Sequence, residues 1–257
     1  VKNTDYTDYF MYTIGVVAVV YFIFELNKVI GKPAKQKLLA AFAFIFLYLL
    51  FNAIFEQSGG SLSLFAKDNV SSDLLFFTMD PNVVNNSSNS LFVIIFSPLV
   101  GLLWIAMYKR KIEPNTVIKF GIGFLFLSAS FYLFYATKFF VNSAGLASLN
   151  LFTFAYLVTT LGELCLGPIG MSIITKLSPK RLFGMMMGLW FLASAFGQFA
   201  AGKLGAEISL ANTGGTLASK LEAYTEGYKD LGLYALIAGV LLIVVSPLIR
   251  KMMHEVK

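Results

Sequence analysis

Apolar blocks of bilayer length divide this sequence, and they limit its fold before any motif is read. Seven occur, at roughly 9–26, 38–66, 91–108, 118–140, 151–175, 182–202 and 230–249. A helix of about 20 apolar residues crosses a hydrocarbon core about 30 Å thick. None of the blocks alternates as a strand would and each exceeds strand length, so all are expected to be helices. A helix also satisfies its own backbone hydrogen bonds, which lipid cannot do. Composition agrees: 57% of residues are hydrophobic and 13% charged, against about a quarter charged in soluble domains. The chain is expected to be an all-α, polytopic membrane protein.

Sparse side-chain chemistry excludes several classes of function. The one cysteine, Cys165, lies in an apolar block, and the one histidine, His254, lies in the charged tail "RKMMHEVK". Neither a disulfide framework nor a metal cluster can be built from them, so no metal is expected. No Ser/Lys or Asp pair recommends an intramembrane enzyme.

The net charge of +6 is arranged for a membrane surface, and no nucleic-acid partner is expected. Lys28, Lys32, Lys35 and Lys37 fall on the same face as Lys109, Arg110, Lys111 and Lys119 when the crossings alternate. Lys176, Lys180, Arg181, Arg250, Lys251 and Lys257 join them. Basic loops face the cytoplasm, which puts the first residue outside and the last inside. Asp5, Asp8, Asp68 and Glu222 then lie on the outer face. Connections at 67–90 and 203–229 are rich in Gly, Ser and Asn and read as exposed outer loops. The sequons at Asn69, Asn85 and Asn86 are read as chance matches outside a eukaryotic host. A start at Val1, with no signal peptide, leads us to expect a piece of something longer.

Two acidic residues lie well inside predicted spans, Glu56 and Glu163. A charge at mid-bilayer costs about 2.5–3.5 kcal/mol on insertion scales, so such a residue faces a polar cavity or a partner. Glu163 is about 12 residues from each end of its segment, about 18 Å at the helical rise. That leaves it little room to reach the headgroups. In "LGELCLGPIGMSIITKLSP", Pro168 has no amide hydrogen and frees the carbonyl of Leu164 beside the glutamate. Transporters build midplane sites from such weakened helices; close packing through Gly162, Gly167 and Gly170 is compatible with this. Glu56 reaches the outer headgroups if its helix ends at Gly59 and Gly60. It lies deeper if the helix resumes through "SLSLFA", which is the expectation. Pro98 reads as a packing kink, and Gly184 with Gly188 as a GxxxG packing face. Trp190 lies mid-segment, away from the interfaces tryptophan prefers, as either a cavity wall or core. The role of Gln198 stays open.

Several of these stretches carry a resemblance. "FNAIFEQSGGSLSLFA" is similar to the seventh helix of the proton-dependent oligopeptide transporters of the major facilitator superfamily. "SNSLFVIIFSPLVGLLW" resembles the eighth helix, "GELCLGPIGMSIITKLSPKR" the tenth with its cytoplasmic turn, and "GMMMGLWFLASAFGQFAAGKL" the eleventh. The resemblance implies a C-terminal six-helix transmembrane bundle at 38–257. Residues 1–37 would be an extra transmembrane helix and cytoplasmic linker, and the N-terminal six-helix bundle would be missing.

Function follows from the resemblance as an expectation: proton-coupled symport of di- and tripeptides across the cytoplasmic (inner) membrane of a bacterium. Glu163 then meets the amino group of the peptide substrate, Asn89 assists it, and Trp190 lines the pocket. Glu56 and Glu163 serve proton coupling and gating, with hinges at Gly59, Gly60, Gly167 and Pro168. The expected partners are the peptide, the N-terminal bundle of the same transporter and the lipid bilayer. No cofactor is expected beyond protons as coupling ion. The chain departs from the family pattern at Ser90, where proline is usual, and at Gly167, where serine is common. It has no ExxER-type signature and no basic cavity residues, which belong to the first bundle. The alternative is a membrane-embedded accessory or assembly module without transport activity.

Overall fold

The computed structural model describes residues 4–210 and 215–254. Val1, Lys257, residues 211–214 and the side chain of Asp5 lie outside the described residues. Helix α1 (Thr4–Lys28) precedes six crossings. The first crossing is broken into α2 (Lys32–Phe55), a 3-10 turn at Glu56–Gly59 and α3 (Ser61–Asn69). Helices α4 (Pro81–Lys109) and α5 (Thr116–Ala136) follow. The next crossing is also broken, into α6 (Leu149–Leu164) and α7 (Gly167–Leu177), before α8 (Phe183–Leu210) and α9 (Leu217–Met253). Seven spans are long and apolar enough to cross a membrane, as the sequence predicts. The fold is an all-α, six-helix bundle with one preceding helix; its only sheet among the described residues is a short hairpin, β1 (Asp73–Leu74) and β2 (Phe77–Thr78).

The connections expected at 67–90 and 203–229 are shorter than the sequence suggests. Helix α4 starts at Pro81, whose fixed φ suits a first turn, and Asp80 accepts the Asn82 amide at 2.7 Å as its N-cap. Asparagine and serine disfavour helix interiors because they compete for the backbone. Here Asn85 and Asn89 find partners on other elements instead. Helix α9 starts from the Thr216 cap, and its polar first turns are amphipathic. They bury Leu221, Tyr224, Thr225 and Tyr228, while Glu226 pairs with Lys138 at 2.7 Å. At the other end of the bundle the linker before α2 shrinks to residues 29–31, with Pro33 in the first turn of α2.

Fully buried phenylalanines fill the core, among them Phe44, Phe51, Phe65, Phe120, Phe124 and Phe134. Backbones approach most closely where α5 crosses α6: a Cβ on Gly162 would stand 2.8 Å from the Gly123 carbonyl oxygen. By contrast, a Cβ on Gly184 or Gly188 would meet nothing within 4 Å. The GxxxG packing face expected there is therefore unoccupied among the described residues.

Helix α1 is pinned to the bundle at both ends. Asp8 pairs with Lys203 of α8. Phe22 stacks on Phe42 at 4.2 Å. Glu25, only 5% exposed, pairs with Lys28 and with Arg181 in the α7–α8 turn, both at 2.8 Å. A charge this buried requires its partners, and it escaped the sequence reading because it lies at a predicted span end. The opposite face of α1 presents Tyr9, Phe10, Val16 and Val20 outward, as a lipid-facing surface does.

Replacing glycine by alanine adds helix propensity at both Gly162 and Gly188, about 1 kcal/mol. At Gly162 backbone meets backbone and the added methyl must overpack, a cost of about 1–3 kcal/mol. Thermal unfolding in detergent should show Gly162→Ala less stable than Gly188→Ala; equal transitions would contradict the close crossing.

Candidate functional site

Both membrane-embedded glutamates named by the sequence sit at helix breaks. Glu56 opens the 3-10 turn between α2 and α3. The helix does resume, so Glu56 falls within the Lys32–Asn69 span. Glu163 occupies the last turn of α6, midway along Leu149–Leu177. There the Cys165 amide donates to the Gly162 carbonyl at 3.1 Å and the Leu166 amide to the Glu163 carbonyl at 2.9 Å. Three-residue bonds replace the α-ladder because Pro168 has no proton to give the Leu164 carbonyl.

A broken helix in hydrocarbon must find other partners for its backbone. At the first break, fully buried Gln57 ties the turn to its surroundings: its Nε2 donates to the Ala201 carbonyl of α8 at 3.1 Å and its Oε1 accepts the Ser61 hydroxyl at 2.7 Å. Gly205 makes the approach of α8 possible, since a Cβ there would lie 3.1 Å from both Gln57 Oε1 and Ser61 N. Asn85 of α4 donates to the Ser58 carbonyl at 2.9 Å and accepts the Tyr156 hydroxyl of α6.

One turn further, Thr160 donates to Asn89 Oδ1 at 3.2 Å, and Asn89 Nδ2 donates to Glu163 Oε2 at 3.1 Å. An ionised carboxylate only accepts, so the amide of Asn89 must point its nitrogen at Glu163. Asn85 and Asn89 lie at i,i+4 on α4; Tyr156, Thr160 and Glu163 lie at i,i+4,i+7 on α6. Those spacings put each set on one helix face. The resulting polar ladder runs from the first break to the carboxylate at the second.

Glu163 and Asn89 are half-buried, so the pair is accessible from the bundle surface. Glu56 is also half-buried and receives Gln198 Nε2 at 3.4 Å. Among the described residues no hydrogen bond joins the two carboxylates; each has its own amide donor. Trp190 is 2% exposed and lies face to face with Tyr48, centroids 3.8 Å apart. Its far edge presses on Gly170, where a Cβ would come within 2.1 Å. In this conformation Trp190 is core. Gly59 and Gly167 have open space where a Cβ would stand, while Gly60 packs against Gln57; Pro168 is exposed.

Sequence reasoning missed Gln57, Asn85, Tyr156, Thr160 and Tyr48 as parts of this arrangement. The signal was present as polar residues repeating at helical spacing. Reading 81–90 as a loop concealed it. The sequon residues Asn69 and Asn85 are buried, 0% and 1% exposed, and so closed to glycosylation in the folded chain.

Membrane helices broken beside carboxylates, with amides joining the breaks, are an arrangement from which transporters build midplane sites. The chain belongs to the POT family (PTR2), which matches residues 2–214. It is 33% identical over 249 residues to the peptide transporter YePEPT of Yersinia enterocolitica, covering 95% of this chain and 47% of that one. It is 29% identical to dipeptide and tripeptide permease A of Cronobacter turicensis, covering 95% and 48%. A POT family transporter solved in complex with a thioalcohol-conjugated peptide superposes with a TM-score of 0.80 at 25% identity, covering 95% and 48%. A peptide transporter POT in complex with sulfate gives 0.77 at 26%, covering 96% and 48%. The chain thus spans about half the length of the relatives it matches.

Asn85→Leu should leave the Tyr156 hydroxyl and the Ser58 carbonyl unpaired, at about 1–3 kcal/mol for each buried group. Combining it with Tyr156→Phe removes both members of one pair, so the double variant should lose less stability than the two singles together. Additive losses in a thermal double-mutant cycle would argue against the ladder.

Proposed function

We propose that this chain is the C-terminal half of a proton-coupled symporter of di- and tripeptides in a bacterial inner membrane. In this reading its half of the site pairs with an N-terminal six-helix bundle of the same transporter. The observation that carries it is Glu163: a half-buried carboxylate at mid-span, held by one amide and by no cation among the described residues. A charge at that depth needs a partner, and the ammonium of a peptide is one. Asn89 orients the carboxylate through Oε2, and Tyr48 stacked on Trp190 forms the apolar side of the pocket.

A proton and an ammonium are alternative positive partners for the same carboxylate, which gives coupling a physical basis. Glu56, the half-buried acid at the other helix break, is proposed as the second proton-responsive group. Gly59–Gly60 and Gly167–Pro168 are proposed as the hinges by which α3 and α7 tilt as access alternates. The membrane potential adds about 2.3 kcal/mol per charge for each 100 mV. Support for peptides as substrate comes from relatives that are named peptide transporters and dipeptide and tripeptide permeases.

Glu163→Gln keeps the shape and a hydrogen-bonding oxygen but removes the charge. A charge-assisted hydrogen bond contributes about 1.5–3 kcal/mol, so dipeptide affinity of the full-length transporter should fall about 10- to 100-fold. Remaining uptake should no longer rise with an inward proton gradient. Undiminished binding together with gradient-driven uptake would defeat the assignment.

A further inference from the structure

A cleft of about 1200 Å³ opens at the basic end of the bundle, between the end of α4, the start of α5, α7 and the end of α9. Its cationic lining comprises Lys109, Lys111, Lys119, Lys176 and Arg250, with His254 beside them. The acid that lines it, Glu113, is already taken by Lys119, whose ammonium also lies 4.6 Å from the Trp104 ring centroid. Lys109, Lys111, Lys176 and Arg250 are exposed and have no ion pair among the described residues. Cations gathered around one opening repel each other, so the cleft favours an anion.

The rest of the lining is mixed: Tyr108, Asn115, Thr116 and Ser172 are polar, and Ile118, Ile169, Ile173 and Met253 form an apolar wall. Leu99, Leu102 and Leu103 of α4 are exposed within its membrane-length span. Lys109 closes the Pro81–Lys109 span, and Arg250 lies near the end of the Leu217–Met253 span. Charge at the span ends and apolar surface below match a molecule with an anionic head and hydrocarbon chains. We propose that this cleft binds an anionic phospholipid, its phosphate among Lys111, Lys176 and Arg250 and an acyl chain along α4. Helix α7 carries one wall through Ile169, Ile173 and Lys176, so the bound lipid would brace the segment that follows the break beside Glu163.

The test uses the full-length transporter in phosphatidylcholine vesicles doped with phosphatidylglycerol or phosphatidylcholine bearing a photoactivatable chain. Adducts are mapped to peptides by mass spectrometry. Phosphatidylglycerol should exceed phosphatidylcholine on the segments 99–119 and 168–176. The combined Lys111→Gln, Lys176→Gln and Arg250→Gln variant should lose that excess, by about fivefold for each cation removed at about 1 kcal/mol per cation. Lys176→Gln alone should lose part of it if the triple variant does not fold. Equal labelling by the two lipids, or an excess indifferent to Lys176→Gln, overturns the proposal. Suppression by inorganic phosphate at constant ionic strength overturns it too, since the cleft would then serve a soluble phosphate.

Discussion

Hydrocarbon offers a backbone no hydrogen bonds, and this one constraint explains where the polar side chains of the protein are. An unbroken helix is self-sufficient in lipid, whereas two helices here are interrupted within their spans. Each interruption releases carbonyls and amides whose burial without partners costs on the order of several kcal/mol. At the first break Asn85 donates to the Ser58 carbonyl, and Gln57 with Ser61 fastens the turn against α8. At the second, shortened backbone bonds and the exposure of Pro168 reduce what must be answered. The Asn85–Tyr156 and Asn89–Thr160–Glu163 contacts then make α4 and α6 the bridge between them.

Elsewhere in the bundle, helices are interlocked backbone to backbone. Helices α5, α6 and α9 meet through glycine crossings in which added atoms would collide with backbone, at Gly162 against Gly123 and at Gly239 against Gly121. Close-packed interiors resist such changes. Beyond the second break, α7 buries Ile173, Ile174 and Leu177 and meets the edge of Trp190 through Gly170. Tyr48 lies face to face with that indole.

Much of the fold was legible in the sequence, because the physics of a membrane span is one-dimensional. Length and apolarity locate the crossings, and proline and glycine locate the breaks at Glu56–Gly60 and before Gly167. What resisted reading was the helical extension beyond the apolar blocks. Asn85, Asn86, Ser87 and Ser88 look like loop residues because their side chains compete with the backbone; only tertiary partners reverse that preference. Likewise Trp190 is ambiguous along the chain, since whether a mid-span indole faces a cavity or a neighbour depends on what Tyr48 and Gly170 place beside it. The carboxylate of Glu163 was legible, and its amide donor was legible through resemblance alone. Gln57 appeared only as a letter in a motif, although it is the most completely bonded side chain at the first break.

Two half-buried carboxylates at helix breaks, with amide donors and no paired cation among the described residues, make an unbalanced set of charges at the bundle surface. Structural ion pairs are present elsewhere: Glu25 with Lys28 and Arg181, Glu113 with Lys119, Glu226 with Lys138 and Lys229. The fold therefore neutralises buried or partly buried acids as a rule and leaves out the pair at the helix breaks. If Glu56 and Glu163 served only to hold helices together, neutral glutamine would do so at a lower desolvation cost, as Gln57 and Gln198 do beside them. The surviving negative charge is better accounted for by a positive partner that comes and goes. In the proposed function that partner is alternately a proton and the ammonium of a peptide, and the breaks give the helices somewhere to bend when it changes.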